Sequence, residues 1–232
     1  MRLHSERAGH GAPLVFIHGM GASTATWERC MMLLAASYEV IAIDLLGHGR
    51  SPVPDDADEY SRDAALIDLD ELLGSLAPTQ PQAVLVGHSL GGYLALAHAA
   101  TRPGVARGIV VLNTGPGYRD PVKREEWNAR SRRNAHRFGM PVQAAELNLQ
   151  IDSVVMDRLA EIDTPTLVLA GDQDRAEYTS AGQYMERKMP HARLAVIVGG
   201  EHSMHESSHA PEVAEQIDRF VQTLGSTATA TG

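Results

Sequence analysis

The sequence predicts an α/β protein with an open, mostly parallel β-sheet covered by helices on both faces. Short apolar runs rich in β-branched residues alternate with stretches whose apolar residues recur at helical spacing. The runs are apolar on successive residues, which is typical of strands buried on both faces of a parallel sheet. This alternation favours right-handed βαβ crossovers, which place helices above and below one sheet.

Each predicted strand is short, and the helices between them have a clear apolar face. Six runs are predicted as strands: Leu14–Ile17, Val40–Ile43, Ala83–Val86, Ile109–Leu112, Thr166–Leu169 and Leu194–Val198. Leucines at positions 66, 69, 73 and 76 recur at helical spacing and predict an amphipathic helix. A last helix is predicted from Val213 to Leu224, because Pro211 precedes it as a helix-starting proline.

The alternation of strands and helices stops once, between Gly115 and Ile162. No β run occurs there, and two helical patterns are separated by a Gly-Met-Pro break at residues 139–141. We therefore predict an α/β core over residues 1–114 and 163–225, with a short helical cap inserted over residues 115–162. The side chains of residues 226–232 are small and offer nothing to bury, which predicts a flexible tail.

The composition describes one globular domain and excludes several classes of protein. The 232 residues are 44% apolar, and a chain of this length builds a core without disulfides or metals. The formal charge of −9 argues against nucleic acid as a partner. The single Cys30 excludes an intrachain disulfide and favours a reducing compartment. No apolar run approaches the roughly 18 residues of a membrane span, so we predict a cytoplasmic protein without a membrane partner.

The strongest functional signal is a G-x-S-x-G motif at residues 87–91. It follows the predicted strand Ala83–Val86 and precedes a helical stretch that begins near Tyr93. Between a strand and a helix this motif makes a tight turn, so small residues must flank the serine and its hydroxyl is exposed at the helix N-terminus. We predict that Ser89 is a nucleophile; the alternative is a glycine-rich turn with a passive serine.

A second motif, HGMG at residues 18–21, follows the first central strand. An oxyanion formed by attack on a carbonyl needs two backbone N–H donors. Leu90, directly after the serine, is predicted to supply one donor, and Met20 the other. His18 could be a catalytic base, but its place at a buried strand end favours a structural role.

Three motifs together resemble the α/β-hydrolase superfamily, in particular a serine esterase and lactonase branch with a short cap. They are HGMG at residues 18–21, DLLGHGRS at 44–51 and GHSLGG at 87–92, and the resemblance covers nearly the whole chain. The resemblance implies that Asp44 belongs to a structural turn, that the catalytic acid follows a late strand, and that the catalytic histidine follows the last strand. Those positions read GDQD at residues 171–174 and Glu201-His202.

The chemistry of a serine nucleophile calls for the same kinds of residue. A serine hydroxyl is a weak nucleophile until a histidine takes its proton, and the histidine needs a carboxylate to orient it. The chain order Ser89, Asp174, His202 is the order expected of this fold. Asp172 lies on the same loop as Asp174, and we expect it to accept hydrogen bonds from N–H groups of its own turn. Asn113, which ends an earlier strand, cannot act as a carboxylate.

Three features depart from the family pattern. The cap is short, no strand is recognised before the usual first hairpin, and Glu201 stands where a glycine commonly precedes the histidine. The first half of the cap is also basic, with seven cations: Arg119, Lys123, Arg124, Arg130, Arg132, Arg133 and Arg137. These residues form either a solvated helix face or a lid that attracts an anionic substrate.

A zinc site and a dinucleotide site are the competing interpretations. Residues 205–209 spell H-E-S-S-H, the pattern of zinc proteases whose two histidines share one helix face. Pro211 would interrupt such a helix. The glycines around Ser89 do not spell the G-x-G-x-x-G of a dinucleotide site. We therefore expect no metal and no cofactor.

Together these observations predict a cofactor-independent serine hydrolase that cleaves small carboxylic esters or lactones through an acyl-enzyme. A C–C bond hydrolase or a thioesterase would use the same three residues, and some members of the fold act mainly as ligand receptors. The serine excludes the family's epoxide hydrolases and haloalkane dehalogenases, which place an aspartate at the nucleophile position. The predicted partner is a small-molecule ester or lactone.

Overall fold

The computed structural model describes residues 2–76 and 82–226, and seven strands in these ranges form one sheet. The strands are β1 Ser5–Ala8, β2 Ala12–Ile17, β3 Tyr38–Ile43, β4 Val84–His88, β5 Gly108–Leu112, β6 Thr166–Gly171 and β7 Ala192–Ile197. Their order across the sheet is β1-β3-β2-β4-β5-β6-β7. β1 pairs antiparallel with β3, and the other neighbouring strands pair in parallel. The predicted open, mostly parallel sheet is confirmed.

Helices cover both faces of this sheet. The α-helices of the described ranges are α1 Glu28–Leu34, α2 Arg62–Leu76, α3 Leu90–Thr101, α4 Pro121–Ala135, α5 Val154–Arg158, α6 Ala176–Lys188 and α7 Ala210–Ser226. Side chains of α1 and α7 form one buried cluster with one face of the sheet, and side chains of α2, α3 and α6 form another with the opposite face. In β2, Leu14 and Phe16 join the first cluster while Val15 and Ile17 join the second. Burial on both faces explains why the strand sequence is apolar without alternation.

One strand lies outside the six predicted from apolar runs. β1 has the sequence SERA and is half-buried to exposed along its length. It lies at the edge of the sheet, where Ser5 is paired with Ile43 and Ala8 with Val40 of β3. An edge strand needs few apolar side chains because the sheet covers only part of it. A search for apolar runs therefore missed it.

The two amphipathic patterns correspond to buried helix faces. The four leucines at positions 66, 69, 73 and 76 lie buried in α2. α7 has Pro211 as its second residue, and its apolar face packs against α1 and the sheet. Tyr38 at the start of β3 donates a hydrogen bond to Asp218 of α7 at 2.6 Å, which ties this helix to the strand.

The segment predicted as a cap connects β5 to β6. It contains α4, 3₁₀ turns at His136–Phe138 and Val142–Asn148, and the single-turn α5. Trp127 of α4 donates from its indole N–H to the carbonyl of Asn148 at 2.9 Å, joining the two halves. Within the described ranges, no helix combines the length and apolar character needed to cross a bilayer. Apart from Ser226, the residues predicted as a flexible tail lie outside the described ranges.

Candidate active site

Ser89 occupies a strained turn between β4 and α3. Its backbone has φ 50° and ψ −111°, a conformation that non-glycine residues rarely adopt. The two motif glycines make this turn possible. A Cβ at Gly87 would overlap the carbonyl oxygen of Gly91, and a Cβ at Gly91 would overlap the carbonyl oxygen of Ile17. The G-x-S-x-G spacing is therefore a packing requirement that presents Ser89 at the start of α3.

His202 and Asp174 are paired at the same edge of the sheet. Nδ1 of His202 lies 2.6 Å from Oδ2 of Asp174, and the Asp174 side chain is only 5% exposed. Asp174 follows β6 and His202 follows β7, so two neighbouring strand ends supply the pair. The ring of Tyr178, on α6, lies 5.0 Å from the His202 ring. With Nδ1 held by Asp174, Nε2 is the nitrogen of His202 that can exchange a proton.

Asp172 has a different place from Asp174. Its Oδ1 accepts a hydrogen bond from the backbone N–H of Gly199 at 2.7 Å. Gly199 has φ 77° and belongs to the turn that follows β7. The sequence analysis expected Asp172 to brace its own turn, whereas the structure has it bracing the neighbouring turn. That neighbouring turn leads to His202, so Asp172 supports the site from outside the His202–Asp174 pair.

The two predicted oxyanion donors lie at the start of α3 and in the loop after β2. Leu90 is the first residue of α3, so its N–H has no partner within the helix. Met20 follows the end of β2, and its sulfur lies 3.4 Å from Nδ2 of Asn148 in the cap segment. The next residue, Gly21, packs directly under the side chain of Phe138. The cap segment thus covers the loop that carries the predicted Met20 donor.

His18 and Asp44 have structural contacts, in line with the roles expected for them. Nδ1 of His18 donates to the carbonyl of Gly19 at 2.7 Å, and Nε2 accepts from the N–H of Leu45 at 3.0 Å. Burial, together with the neighbouring His48, lowers the pKa of His18 to about 4, which keeps the ring neutral. Asp44 is 1% exposed and accepts backbone hydrogen bonds that hold its turn closed.

Asn113 is a site residue whose role the sequence analysis missed. Its Nδ2 donates to the carbonyls of Glu201 at 3.0 Å and His202 at 2.9 Å, and its Oδ1 accepts from the N–H of Gly171 at 2.9 Å. It therefore links β5 to the loops that carry both Asp174 and His202. In the sequence, the available signal was an asparagine directly after a buried strand, since asparagine is among the few residues that tolerate the left-handed backbone found here at φ 46°.

His88, directly before Ser89, also holds the loop that carries His202. Its Nε2 donates to the carbonyl of His202 at 2.9 Å, and the two rings lie 4.8 Å apart. Burial and the neighbouring histidines hold the pKa of His88 well below its usual range, so the ring stays neutral. The carbonyl of His202 thus receives hydrogen bonds from the residue beside Ser89 and from Asn113.

The H-E-x-x-H match does not form a helical pair of histidines. Residues 205–209 lie in turns, and α7 begins only at Ala210. The His205 ring is fully buried between Trp27 and His88, and burial lowers its pKa to about 3. Nδ1 of His209 lies 3.2 Å from the hydroxyl oxygen of Ser207. Over residues 2–76 and 82–226, no three His, Cys, Asp or Glu side chains are grouped closely enough to hold a metal ion.

A cavity of about 390 Å³ opens at Ser89 under the cap segment. Its volume lies at the small end of the range for small-molecule sites. Aromatic side chains form much of its wall: Tyr93, Tyr118, Trp127 and Tyr178. Polar and charged side chains complete it: Thr114, Lys123, Glu126, Arg130, Asn148, Gln150 and Glu177. The cavity is therefore suited to a compact organic molecule with both apolar and polar parts.

A family model described as "Alpha/beta hydrolase family" matches residues 14–216 of the chain. The chain belongs to this family. The match includes the HGMG loop, the G-x-S-x-G turn and the His202–Asp174 pair, so it confirms the resemblance drawn from the motifs.

Three similar proteins illustrate where the chain lies within the family. A pimeloyl-[acyl-carrier protein] methyl ester esterase of Xanthomonas campestris pv. campestris (strain B100) is 28% identical over 262 aligned positions, covering 96% of this chain and 100% of the relative. MenH from S. aureus superposes with a TM-score of 0.80 at 21% identity, covering 96% of this chain and 99% of that one. A thermophilic esterase from Thermogutta terrifontis, solved with malate bound, superposes with a TM-score of 0.80 at 25% identity, covering 96% of this chain and 93% of that one.

Proposed function

We propose that this chain is a cofactor-independent serine hydrolase that cleaves small carboxylic esters, lactones included, through an acyl-enzyme. The observation that carries the proposal is the 2.6 Å contact between His202 and Asp174 at the sheet edge where the strained turn presents Ser89. A histidine oriented by a buried carboxylate, at the same sheet edge as a half-buried serine in a strained turn, is the arrangement that activates a hydroxyl for acyl transfer.

The proposed reaction has two halves. The Oγ of Ser89 attacks the substrate carbonyl while Nε2 of His202 accepts its proton, and Asp174 stabilises the imidazolium that forms. The N–H groups of Leu90 and Met20 hold the oxyanion. His202 then returns the proton to the departing alcohol, which leaves the acyl group on Ser89. Water, deprotonated by His202, attacks this ester, and the carboxylic acid is released.

The substrate class rests on the relatives and on the cavity. Carboxylic esters are favoured because the Xanthomonas relative is a methyl ester esterase and the Thermogutta protein is an esterase. C–C bond hydrolases and thioesterases would use the same residues, but the Xanthomonas and Thermogutta relatives are both esterases. A cytoplasmic location belongs to the same proposal, supported by the single Cys30, which is a buried free thiol.

Substitution of the nucleophile tests the proposal. Ser89→Ala should lower kcat on p-nitrophenyl acetate by about 10⁴-fold or more, because the oxyanion donors alone retain little catalysis. A fluorophosphonate probe should label the wild-type protein once, and peptide mass spectrometry should place the label on Ser89. Ser180→Ala is the matched control, since Ser180 is exposed on α6. Rapid turnover by Ser89→Ala, or a wild-type protein that neither turns over esters nor labels, would contradict the proposal and favour the ligand-receptor alternative.

A further inference from the structure

The seven basic residues of the cap segment divide into two groups. Arg119 pairs with Asp157 at 2.7 Å and Arg132 pairs with Glu146 at 3.0 Å. The guanidinium of Arg124 donates to backbone carbonyls, and Arg133 and Arg137 are not part of the cavity wall. Lys123 and Arg130 line the cavity that contains Ser89. The solvated-face interpretation therefore describes five of the seven, and the anionic-substrate interpretation concerns the other two.

The guanidinium of Arg130 lies over an aromatic ring. Its guanidinium carbon lies 4.9 Å from the centroid of the Trp127 ring, and both residues are half-buried in the cavity wall. Stacking on a ring uses the face of a guanidinium and leaves the N–H groups along its edge able to donate. In the described ranges, no carboxylate lies within ion-pairing distance of Arg130. A guanidinium that lies over a ring and has unused donors is suited to bind a planar anion through two hydrogen bonds.

The other charges of the cavity wall lie closer to solvent. Lys123, Glu126 and Glu177 are all exposed, whereas Arg130 is half-buried. Exposed charges are screened by water and salt, so the two glutamates oppose an anion only weakly. Of the four charged side chains in this wall, Arg130 is the one whose field acts most directly on a bound molecule.

We propose that Arg130 binds a carboxylate on the acyl chain of the substrate, so that the preferred substrates are half-esters of dicarboxylic acids. The inference rests on the proposed function, because it names the substrate class of the same site. Hydrolysis then proceeds as described: the ester C–O bond breaks, water supplies the new C–O bond, and the products are an alcohol and a dicarboxylate. The free carboxylate stays on Arg130 while the ester carbonyl lies at Ser89.

A matched pair of esters tests this subsite. Monomethyl pimelate and dimethyl pimelate have the same chain, and the monoester carries the negative charge. Arg130→Gln should lower kcat/KM for the monoester by about 10- to 100-fold, the range for a lost hydrogen-bonded charge pair, and should change the value for the diester by less than about threefold. In the wild-type protein, added salt should lower kcat/KM for the monoester only. Arg133→Gln, an exposed change on the same helix, should leave both values unchanged.

The outcomes separate the subsite from the catalytic proposal. If Arg130→Gln lowers both esters equally, or if the wild-type protein does not prefer the monoester, the subsite is refuted while Ser89-dependent turnover of p-nitrophenyl acetate can still stand. If neither pimelate ester is hydrolysed but p-nitrophenyl acetate is, inhibition of p-nitrophenyl acetate hydrolysis by free pimelate tests the subsite instead. Free pimelate should then inhibit the wild-type protein at millimolar concentration and Arg130→Gln much less, and equal inhibition of both overturns the subsite. Loss of all ester turnover in the wild-type protein refutes the proposed function itself.

Discussion

Replacement of Asn113 by alanine should loosen at once the two loops that carry Asp174 and His202. Asn113 is 1% exposed, and its side chain makes three hydrogen bonds, to the carbonyls of Glu201 and His202 and from the N–H of Gly171. Asn113→Ala removes all three. The carbonyl of His202 retains the bond from His88, but the N–H of Gly171 loses its side-chain partner. We therefore expect a loss of stability together with a loss of activity.

The size of the stability loss follows from these contacts. Each hydrogen bond contributes about 1 kcal/mol net, and the left-handed backbone of Asn113 costs an alanine about 1 kcal/mol more. The sum is about 4 kcal/mol, which for a chain of this size lowers Tm by about 8–16 °C. Displacement of a catalytic group by about 1 Å can cost 10²-fold in rate, so kcat should fall by about 10- to 100-fold.

Thermal unfolding followed by circular dichroism and initial rates on p-nitrophenyl acetate measure the two effects. Rates are taken well below the Tm of the variant, so that unfolded protein does not contribute. Asn113→Gly is the matched control, because glycine accepts φ 46° and loses only the hydrogen bonds. It should recover about 1 kcal/mol of stability but none of the activity. An Asn113→Ala protein with the wild-type Tm and full kcat would refute the reasoning.

The other predictions concern the acid loop and the buried histidines. Asp174→Asn should fold normally and lose about 10⁴-fold in kcat, whereas Asp172→Asn should stay active and unfold at a lower Tm. Initial rates and thermal unfolding of the two variants measure these effects. The reverse pattern would assign the role of the proposed acid to Asp172. Burial lowers the pKa of His18 to about 4 and of His205 to about 3, against about 6.5 when unfolded. The neutral His18 and His205 rings therefore contribute fully to the free energy of unfolding above about pH 6.5. This contribution is lost as the pH falls towards 4, because the unfolded chain binds the protons first, and the loss for His18 is about 3 kcal/mol. Urea unfolding between about pH 7.5 and 4.5 measures it, and a flat profile would contradict the depressed pKa values.

Much of the core architecture could be predicted from the sequence because its signals are local. A strand buried on both faces is apolar on successive residues, as Leu14–Ile17 of β2 and Val84–Val86 of β4 show. The turn at Ser89 is equally local, since Gly87 and Gly91 are the residues that its packing requires. The edge strand β1 carried no such signal, because partial exposure places few demands on its side chains.

The sequence by itself therefore determined the α/β order and the strained turn at Ser89. Only the tertiary structure decided which side chains meet across the sheet edge. Asp172 and Asp174 are two residues apart, yet one contacts Gly199 and the other His202, because neighbouring strand ends bring separate loops together. In the same way, Arg119 and Arg130 look alike in sequence, but Arg119 pairs with the distant Asp157, whereas Arg130 lies in the wall of the cavity that also contains Ser89. Such contacts depend on chain segments that are distant in sequence, so no local pattern encodes them.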